Sequence, residues 1–558
     1  MKKAVIATVF PLCGLYMSVA YGAQYEVVEL PVADLGVNSY PAAINDVGQV
    51  AVNLETQYNP VIDTTLIDFE SSAIILGLEN LDGVRGGDFS DDDYTFLYNY
   101  IMTNAESQTF QQIASLNSYV ATENDSELLR VFDTIDPNTD DYRNSVRTQI
   151  RSINDFGYSV GTSHDGFYTE DYVTEDVEDI TYVVNDFYQR GFAIVDDHTT
   201  ELPPPDVTAG GLSEAYDINN SNQVVGIGTI EFVDDTYETA VENCADSTAR
   251  GDIPESSCLR ALSISLSSGV TTAAQQRGVI WQLDEDGDLI DTYSLGMLID
   301  EPDDSSSVYA SSAVAINDYG IAVGESPSYY QDTSSLTTAA AIYIGDEVTT
   351  INYDEDVYSS IAYDINNDNL VVGNITKDVN GNTRTKFFLH DIDNDLTIYP
   401  DDFFEGSSSI ATSINNEGYA VGYGESEATL TTRRTEGFLY DYKNDIFQGL
   451  NSLIECNSEY DIVQANGIND DNEIAATALV LKPETNIRGE IILDEYGAQT
   501  LVDTVVAVKL TPISGGSIDN CDAYEDEPVR QGASFPVVFS GMLFGLVLLR
   551  RRVFTCIA

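Results

Sequence analysis

Short apolar segments alternate with polar turns along most of the chain, and one such unit recurs seven times. Each copy has Ile-Asn as its second and third residues, continues with Asp or Asn, and leads into a second apolar segment. Apolar runs on either side of a tight polar turn predict a β-hairpin. The copies are AINDVGQVAV from Ala43, SINDFGYSVG from Ser152, DINNSNQVVG from Asp217, AINDYGIAVG from Ala315, DINNDNLVVG from Asp364, SINNEGYAVG from Ser413 and GINDDNEIAA from Gly467.

Two positions of the repeat indicate the chemistry of the turn. Counted from the isoleucine, the fifth residue is always Gly or Asn, which adopt the left-handed backbone conformation at the lowest cost. The second residue is always Asn, whose side chain bonds readily to nearby backbone. We therefore predict a type I turn closed by a left-handed residue in every copy. The predicted turn residues are Asn45 and Gly48, Asn154 and Gly157, Asn219 and Asn222, Asn317 and Gly320, Asn366 and Asn369, Asn415 and Gly418, and Asn469 and Asn472.

A second apolar strand follows most copies, as in GFLYDY from Gly437, and it leads through a polar turn to another strand. One unit therefore holds two hairpins, or four strands, which is the content of one propeller blade. The motif isoleucines lie 109, 65, 98, 49, 49 and 54 residues apart, and the shorter spacings suit a four-stranded blade. The sequence thus predicts an all-β fold, a seven-bladed β-propeller of four-stranded antiparallel blades, over residues 24–515. A β-solenoid is the alternative, but it requires shorter and more uniform coils.

The longer spacings predict insertions, at residues 91–147 and 230–263. The first has a helical pattern at residues 94–102 and 107–116, and a further polar loop lies at residues 326–338. Apolar strands at residues 25–30 and 505–510 are expected to complete one blade between them and so close the ring.

Both ends of the chain resemble targeting segments rather than parts of a fold. Residues 1–23 have a basic start, an apolar run and small residues near Ala20, which predicts a secretory signal peptide. Residues 516–531 form an acidic linker, and residues 532–552 an apolar segment that ends in three arginines. This segment predicts a C-terminal transmembrane helix with its arginines in the cytoplasm. We therefore expect an exported protein, periplasmic or at the cell surface, anchored by that helix.

Four of the six cysteines lie between the terminal segments. An even set in an oxidising compartment predicts disulfides, and we assign them as Cys244–Cys258 and Cys456–Cys521.

The chain carries 93 acidic and 24 basic residues, for a formal net charge of −69. Such a surface repels phosphate backbones, so nucleic acid is excluded as a partner. Adaptation to a saline environment explains the charge more simply than a cation-binding surface does, although cations remain compatible partners.

Candidate chemistry is sparse. Two acidic turns place oxygen ligands at alternate positions, as Ca²⁺ prefers, but both lack the closing glutamate, so ordinary hairpin turns are favoured over metal sites. The three histidines have no metal-ligand spacing, and no nucleophile elbow or phosphate-binding loop is present. The only tryptophan, Trp281, lies in a predicted strand and is expected to pack in the core. The calcium candidates are Asp284, Asp286 and Asp288, and Asp391, Asp393 and Asp395.

The repeat Ile-Asn-x-x-Gly-x-x-Val-Gly, followed by a Gly-Phe-Leu-like strand, resembles the HAF-type probable extracellular repeat family. The signal peptide, the positions of Cys456 and Cys521, the Val-Lys-Leu-Thr-Pro segment ending at Pro512 and the basic-ended tail resemble a related domain-of-unknown-function family of bacterial secreted proteins. The tail is also similar to tripartite sorting tails, although Gly532-Ala533-Ser534 stands where those carry Gly-Gly. These resemblances imply an extracellular repeat protein and imply no reaction.

Repetition itself bears on function. A catalytic group is expected once, whereas the motif asparagine occurs seven times, so turn stabilisation is favoured over a ring of ligand-facing amides. We predict a non-enzymatic binding scaffold for an extracellular protein or polysaccharide, with no catalytic residue assigned. The alternatives are a carboxylate-dependent hydrolase of glycans acting at the propeller axis, and a structural envelope protein. A deep axial cleft with two converging carboxylates would favour the hydrolase.

Overall fold

The computed structural model describes residues 23–105, 107–136, 141–174, 179–196, 198–233, 235–267, 274–300, 307–331, 333–351, 357–428 and 433–518. Seven four-stranded antiparallel sheets follow one another around a ring, which confirms the predicted seven-bladed β-propeller. We number them as blades 1 to 7 in the order of their Ile-Asn turns. The first strands of neighbouring blades contact one another around the whole ring, so they are the innermost strands.

The strand bounds follow from the repeat. The first strands are Gly36–Ile44, Thr148–Ile153, Ser213–Ile218, Ser312–Ile316, Val357–Ile365, Ser409–Ile414 and Asp461–Ile468. The second strands are Val50–Gln57, Ser159–Ser163, Gln223–Phe232, Ala322–Tyr329, Leu370–Val379, Tyr419–Glu425 and Ile474–Pro483. The third strands are Leu116–Ala121, Arg190–Val195, Ala274–Leu283, Leu336–Ile344, Asn382–Asp391, Thr435–Asp441 and Leu501–Pro512. The fourth strands are Ser126–Leu128, His198–Leu202, Leu289–Ser294, Glu347–Thr350, Leu396–Ile398, Ile446–Gly449 and Tyr25–Glu29.

Blade 7 joins the two ends of the propeller. Its fourth strand, Tyr25–Glu29, pairs antiparallel with Leu501–Pro512, from Tyr25 opposite Pro512 to Glu29 opposite Val508. The predicted closure of the ring by the first and last strands is therefore confirmed.

The hydrophobic core is divided among the interfaces between blades. Between blades 2 and 3, for example, Val160 and Ala193 pack with Val224 and the fully buried Trp281. The indole Nε1 of Trp281 donates to the carbonyl oxygen of Pro203 at 2.8 Å, which satisfies its polar atom. Each blade buries both of its faces against neighbours, so its third strands read as continuous apolar runs.

The insertions occupy other boundaries than the sequence predicts. Residues 91–147 do not form a single insertion, because they include the third and fourth strands of blade 1. The helices inserted into blade 1 precede that third strand, and a small hairpin, Ile135–Asp136 with Asp141–Tyr142, follows its fourth strand. The inserted helices are Ser72–Gly77, Leu81–Arg85 and Asp91–Thr103, with a 3₁₀ turn at Thr64–Leu66.

The helix predicted at residues 107–116 is wrong. Gln111 is instead held in an extended segment, where its Nε2 donates to the Val61 carbonyl at 2.9 Å, and Leu116 begins a strand. This tertiary bond overrides the local helical pattern.

In blade 3 the insertion is helical, with Thr236–Ala245, Ser247–Arg250 and Glu255–Ser267, and the disulfide Cys244–Cys258 joins the first of these helices to the last. The remaining short elements are the hairpin Tyr168–Val173 with Asp179–Val184, and 3₁₀ turns at Ala33–Leu35, Thr208–Gly210 and Leu450–Ser452.

The predicted signal peptide and C-terminal anchor fall at residues 1–23 and 532–552, which, apart from Ala23, lie outside the described residues. Within the described part of the chain, no helix has the length and apolar character needed to span a membrane. Cys521 also lies outside it, so the pair Cys456–Cys521 stays a prediction.

Candidate functional site: the axial channel

The seven Ile-Asn turns lie together at one end of the inner strands. All seven fifth-position residues have positive φ, from 58° at Asn222 to 85° at Gly418. Within each turn the asparagine Oδ1 accepts from the backbone. In blade 5, for example, Asn366 Oδ1 accepts from the amides of Asp368 at 3.0 Å and Leu370 at 2.9 Å.

The same asparagines also connect the blades. Each side-chain Nδ2 donates to the main-chain carbonyl of the equivalent asparagine in the next blade, at 2.8–3.2 Å. The last of these bonds runs from Asn469 to the carbonyl of Asn45, so the ring closes on itself. All seven asparagines are buried, and each side chain bonds both within its turn and to the next blade, as the predicted turn-stabilising role requires.

A second closed ring lies one residue further along the chain. The backbone amide of each following residue donates to the side-chain Oδ1 of its equivalent in the next blade, at 2.8–3.1 Å. The members of this ring are Asp46, Asp155, Asn220, Asp318, Asn367, Asn416 and Asp470. Only Asp and Asn carry the short side-chain oxygen that this bond requires, which explains why the repeat alternates between these two types.

A β-bulge interrupts every inner strand two residues before its isoleucine. An extra residue at a bulge leaves the ladder and its side chain is redirected. The position opposite the bulge is glycine in five blades, because a Cβ there would meet the inner strand. At Gly422, for example, it would lie 2.0 Å from the carbonyl oxygen of Ile410.

The redirected side chains line a cavity of about 1610 Å³ on the propeller axis. They differ chemically from blade to blade, whereas the residue before the bulge is alanine in five blades and the residue two places after it is always isoleucine. All of them are partly exposed, whereas the residue before each bulge is buried. The bulge residues are Ala42, Arg151, Tyr216, Val314, Tyr363, Thr412 and Asn466.

Ten of the described acidic residues line the cavity, and two of them, Asp217 and Asp364, follow the bulge of their inner strand. Asp217 accepts from Ser152 Oγ at 2.6 Å and from the Ile316 amide at 2.9 Å. Asp364 accepts from the Ile414 amide at 2.9 Å, so both acids form hydrogen bonds to a neighbouring blade. Burial, with the charge of Asp217 second, raises the pKa of Asp364 to about 7, and burial likewise raises the pKa of Asp217.

The calcium candidates do not lie in the channel. Asp284 Oδ1 accepts from the amides of Asp286 and Asp288, both at 3.0 Å, as in an ordinary hairpin turn. The Asp391, Asp393 and Asp395 turn is of the same kind, with Asp391 accepting from the Asn394 amide at 3.0 Å. In the part of the chain that the structure describes, no three acids, histidines or cysteines are grouped to hold a metal ion.

Sequence reasoning located the turns but missed the channel lining. The bulge is a property of strand register, and no residue type marks it in the first strand. The signal that could have found it is the position two residues before the invariant isoleucine, which holds six residue types in seven copies.

Together, the seven sheets, the pairing of the first and last strands in blade 7 and the axial cavity define a seven-bladed β-propeller with a central channel. The chain matches the family described as "Protein of unknown function (DUF3466)" over residues 3–552, and it belongs to that family. No curated protein matches the chain.

Solved propeller structures are similar in fold at low identity. The β-propeller domain of the Trilobed protease from Pyrococcus furiosus has 8% identity and a TM-score of 0.37, and the match covers 84% of this chain and 95% of that one. Porphyromonas gingivalis dipeptidyl peptidase 4 has 10% identity and a TM-score of 0.30, covering 66% and 48%. A Mycobacterium tuberculosis puromycin-hydrolyzing peptidase has 9% identity and a TM-score of 0.25, covering 83% and 61%. Likenesses this distant carry no argument about activity.

Proposed function

We propose that the protein is an exported, envelope-anchored binding scaffold whose ligand site is the axial channel. One observation carries this proposal. Seven bulges direct chemically different side chains into one cavity, while the surrounding framework repeats from blade to blade. Framework repetition serves stability, and variation confined to the lining is typical of a binding site on a rigid scaffold.

The size and lining of the cavity indicate the kind of ligand. A volume of about 1610 Å³ accommodates a small molecule or the end of a polymer, but not a folded domain. Tyrosine rings with amide and hydroxyl groups at the lining suit an oligosaccharide or a similarly polar chain, so of the predicted partners we favour polysaccharide.

Export and anchoring rest on the terminal segments described above. The disulfide Cys244–Cys258 supports an oxidising compartment, since such bonds persist outside the cytoplasm. Protease added to intact cells and to lysed cells tests the location. Digestion of the body only after lysis of the inner membrane would contradict it.

A channel-filling variant tests the binding function. Val314→Tyr places in blade 4 the residue that the same bulge carries in blades 3 and 5, at Tyr216 and Tyr363, so the backbone should accept it. Binding of an oligosaccharide panel by the full chain should fall in this variant and persist in Leu76→Tyr, a control on the outer surface, where Leu76 is 85% exposed. Equal binding by both variants would contradict a channel site.

The glycan hydrolase is the second candidate, because the raised pKa of Asp364 suits a general acid and Asp217 lies in the same wall. Against it, the oxygens of both carboxylates accept backbone or hydroxyl hydrogen bonds, three from neighbouring blades and one from the Ile365 amide of the same blade. Release of reducing ends by the wild type, and its loss in Asp364→Asn, would establish the hydrolase. Binding without turnover supports the scaffold.

A further inference from the structure

Two arginines of blade 2 project into the axial channel. Arg147 directly precedes the first strand Thr148–Ile153, and Arg151 is the bulge residue of that strand. Both line the cavity. They form a basic stretch of wall in a chain whose net charge is −69.

Neither guanidinium forms an ion pair with a described residue of the protein. Among the described residues, no carboxylate lies within 4.0 Å of Arg147 or Arg151, and neither side chain donates a hydrogen bond. The Nε of Arg151 is buried without a partner, and its guanidinium lies 5.6 Å from the centre of the Tyr216 ring. By contrast, Arg433 and Arg434, which line the same cavity, pair with Glu425 and Asp461.

Glu214 lies in the same wall and bonds to other partners. Its oxygens accept from Gln189 Nε2 at 2.7 Å and from Tyr216 Oη at 3.0 Å, and it forms no ion pair with either arginine. Burial, followed by the charge of Arg151, lowers the pKa of Arg147, while the charge of Glu214 acts in the opposite direction. Burial also lowers the pKa of His164 to about 3, so this neighbour is uncharged at neutral pH.

Such an arrangement is costly unless something compensates it. Charges that are partly removed from water, as those of Arg147 and Arg151 are, are normally paired, and a chain with 93 acids and 24 bases has ample carboxylates to pair them. The planar fork of arginine, with its parallel N–H groups, matches an oxyanion better than any other partner.

We propose that Arg147 and Arg151 bind an oxyanion group of the ligand, a carboxylate, sulfate or phosphate, within the axial channel. The inference rests on the proposed function and specifies its ligand class as anionic. The overall negative charge of the protein does not prevent this contact, because salt screens charges beyond about 8–10 Å.

Calorimetric titration of the full chain tests the inference. The probes are sodium sulfate, sodium phosphate and sodium citrate at ionic strength held constant with KCl, with neutral maltohexaose as a fourth probe. At least one oxyanion should bind, and Arg147→Gln and Arg151→Gln should each weaken its binding by roughly tenfold or more. The bulge carries Thr412 and Asn466 in other blades, so Gln is compatible with folding at Arg151. Arg85→Gln, which removes a surface arginine paired with Glu70, should bind as the wild type does.

The outcomes separate the two proposals. The anion inference is overturned if no oxyanion binds, or if oxyanions bind equally to the wild type and to both glutamine variants. If maltohexaose binds and Val314→Tyr abolishes that binding while no oxyanion binds, the channel function survives and the anion inference fails. If Arg151→Gln loses oxyanion binding but Val314→Tyr retains it fully, the arginine site stands and the channel function fails.

Discussion

The asparagine ring should be a main source of stability, and Asn366 is the best place to test it. Asn366→Ala removes three hydrogen bonds, one to the Asn415 carbonyl at 2.9 Å and two that its Oδ1 accepts within the turn. The Asn415 carbonyl still accepts from the Gly418 amide at 3.1 Å. The amide of the buried Leu370 loses its partner, and that unsatisfied donor is the larger cost.

The magnitude follows from these losses. Three net hydrogen bonds at about 1 kcal/mol each, with one buried donor left unpaired, give a loss of about 3–4 kcal/mol in the free energy of unfolding. Asn366→Asp separates the two roles of the side chain. It keeps the oxygen that closes the turn but places a second oxygen against the Asn415 carbonyl, so only the cross-blade bond is lost and replaced by repulsion.

Guanidinium unfolding followed by circular dichroism measures these effects, with an unchanged m-value as the sign that stability alone has changed. Asn394→Ala is the matched control, because the side-chain Nδ2 of Asn394 donates only to Asp391, at 2.7 Å, in an exposed hairpin of the same blade. The control should shift stability by less than about 0.5 kcal/mol. A loss at Asn366 no greater than at Asn394 would refute the idea that the ring holds the blades together.

Three further changes have defined outcomes. Gly422→Ala drives a Cβ to 2.0 Å from an inner-strand carbonyl and should cost about 1–3 kcal/mol by chemical denaturation, whereas Gly406→Ala, with its nearest atom at 3.7 Å, should be neutral. The pKa of Asp364 is raised to about 7 from an ordinary 3.8, so the folded state binds more protons in that window and the free energy of unfolding falls as pH rises through it. Asp364→Asn should remove this fall in the free energy of unfolding, which amounts to about 1–2 kcal/mol once water in the channel is allowed for. An unchanged slope of stability against pH would contradict the raised pKa of Asp364. Replacing Cys244 and Cys258 by Ser should speed proteolysis within residues 236–267 and leave the propeller intact, and cleavage spread over all blades would argue against a local role.

The sequence revealed those features that depend on local chemistry. A left-handed residue after a two-residue turn is a local requirement, so positions such as Gly157 and Asn472 were readable from the repeat. The blade number followed by counting, and the ring closure followed from one apolar strand at each end. Trp281 lies in the core as its apolar strand predicts.

The features that were missed depend on distant partners. The bond from Asn469 to Asn45 spans 424 residues, and nothing local to either turn shows that their side chains and carbonyls bond to each other. Likewise, that Arg151 forms no ion pair with a described residue is a property of the assembled channel. Insertion boundaries failed for a similar reason, since Gln111 is fixed by contacts to a different part of the chain.

The central claim, that Arg147 and Arg151 attract an anion into the channel, is tested most directly by thiol reactivity at Ala42→Cys. Ala42 is the bulge residue of blade 1 and packs beside Ile150 of blade 2, close to Arg151. The rates at which the introduced thiol reacts with an anionic and with a cationic methanethiosulfonate reagent are compared with the same rates at Leu76→Cys on the outer surface. The reactivity of the chain without an introduced cysteine is subtracted from both. The account predicts a higher anionic-to-cationic rate ratio in the channel than outside, and a return to the outer value when Arg151→Gln is added. A ratio at Ala42→Cys equal to or below that at Leu76→Cys would contradict it.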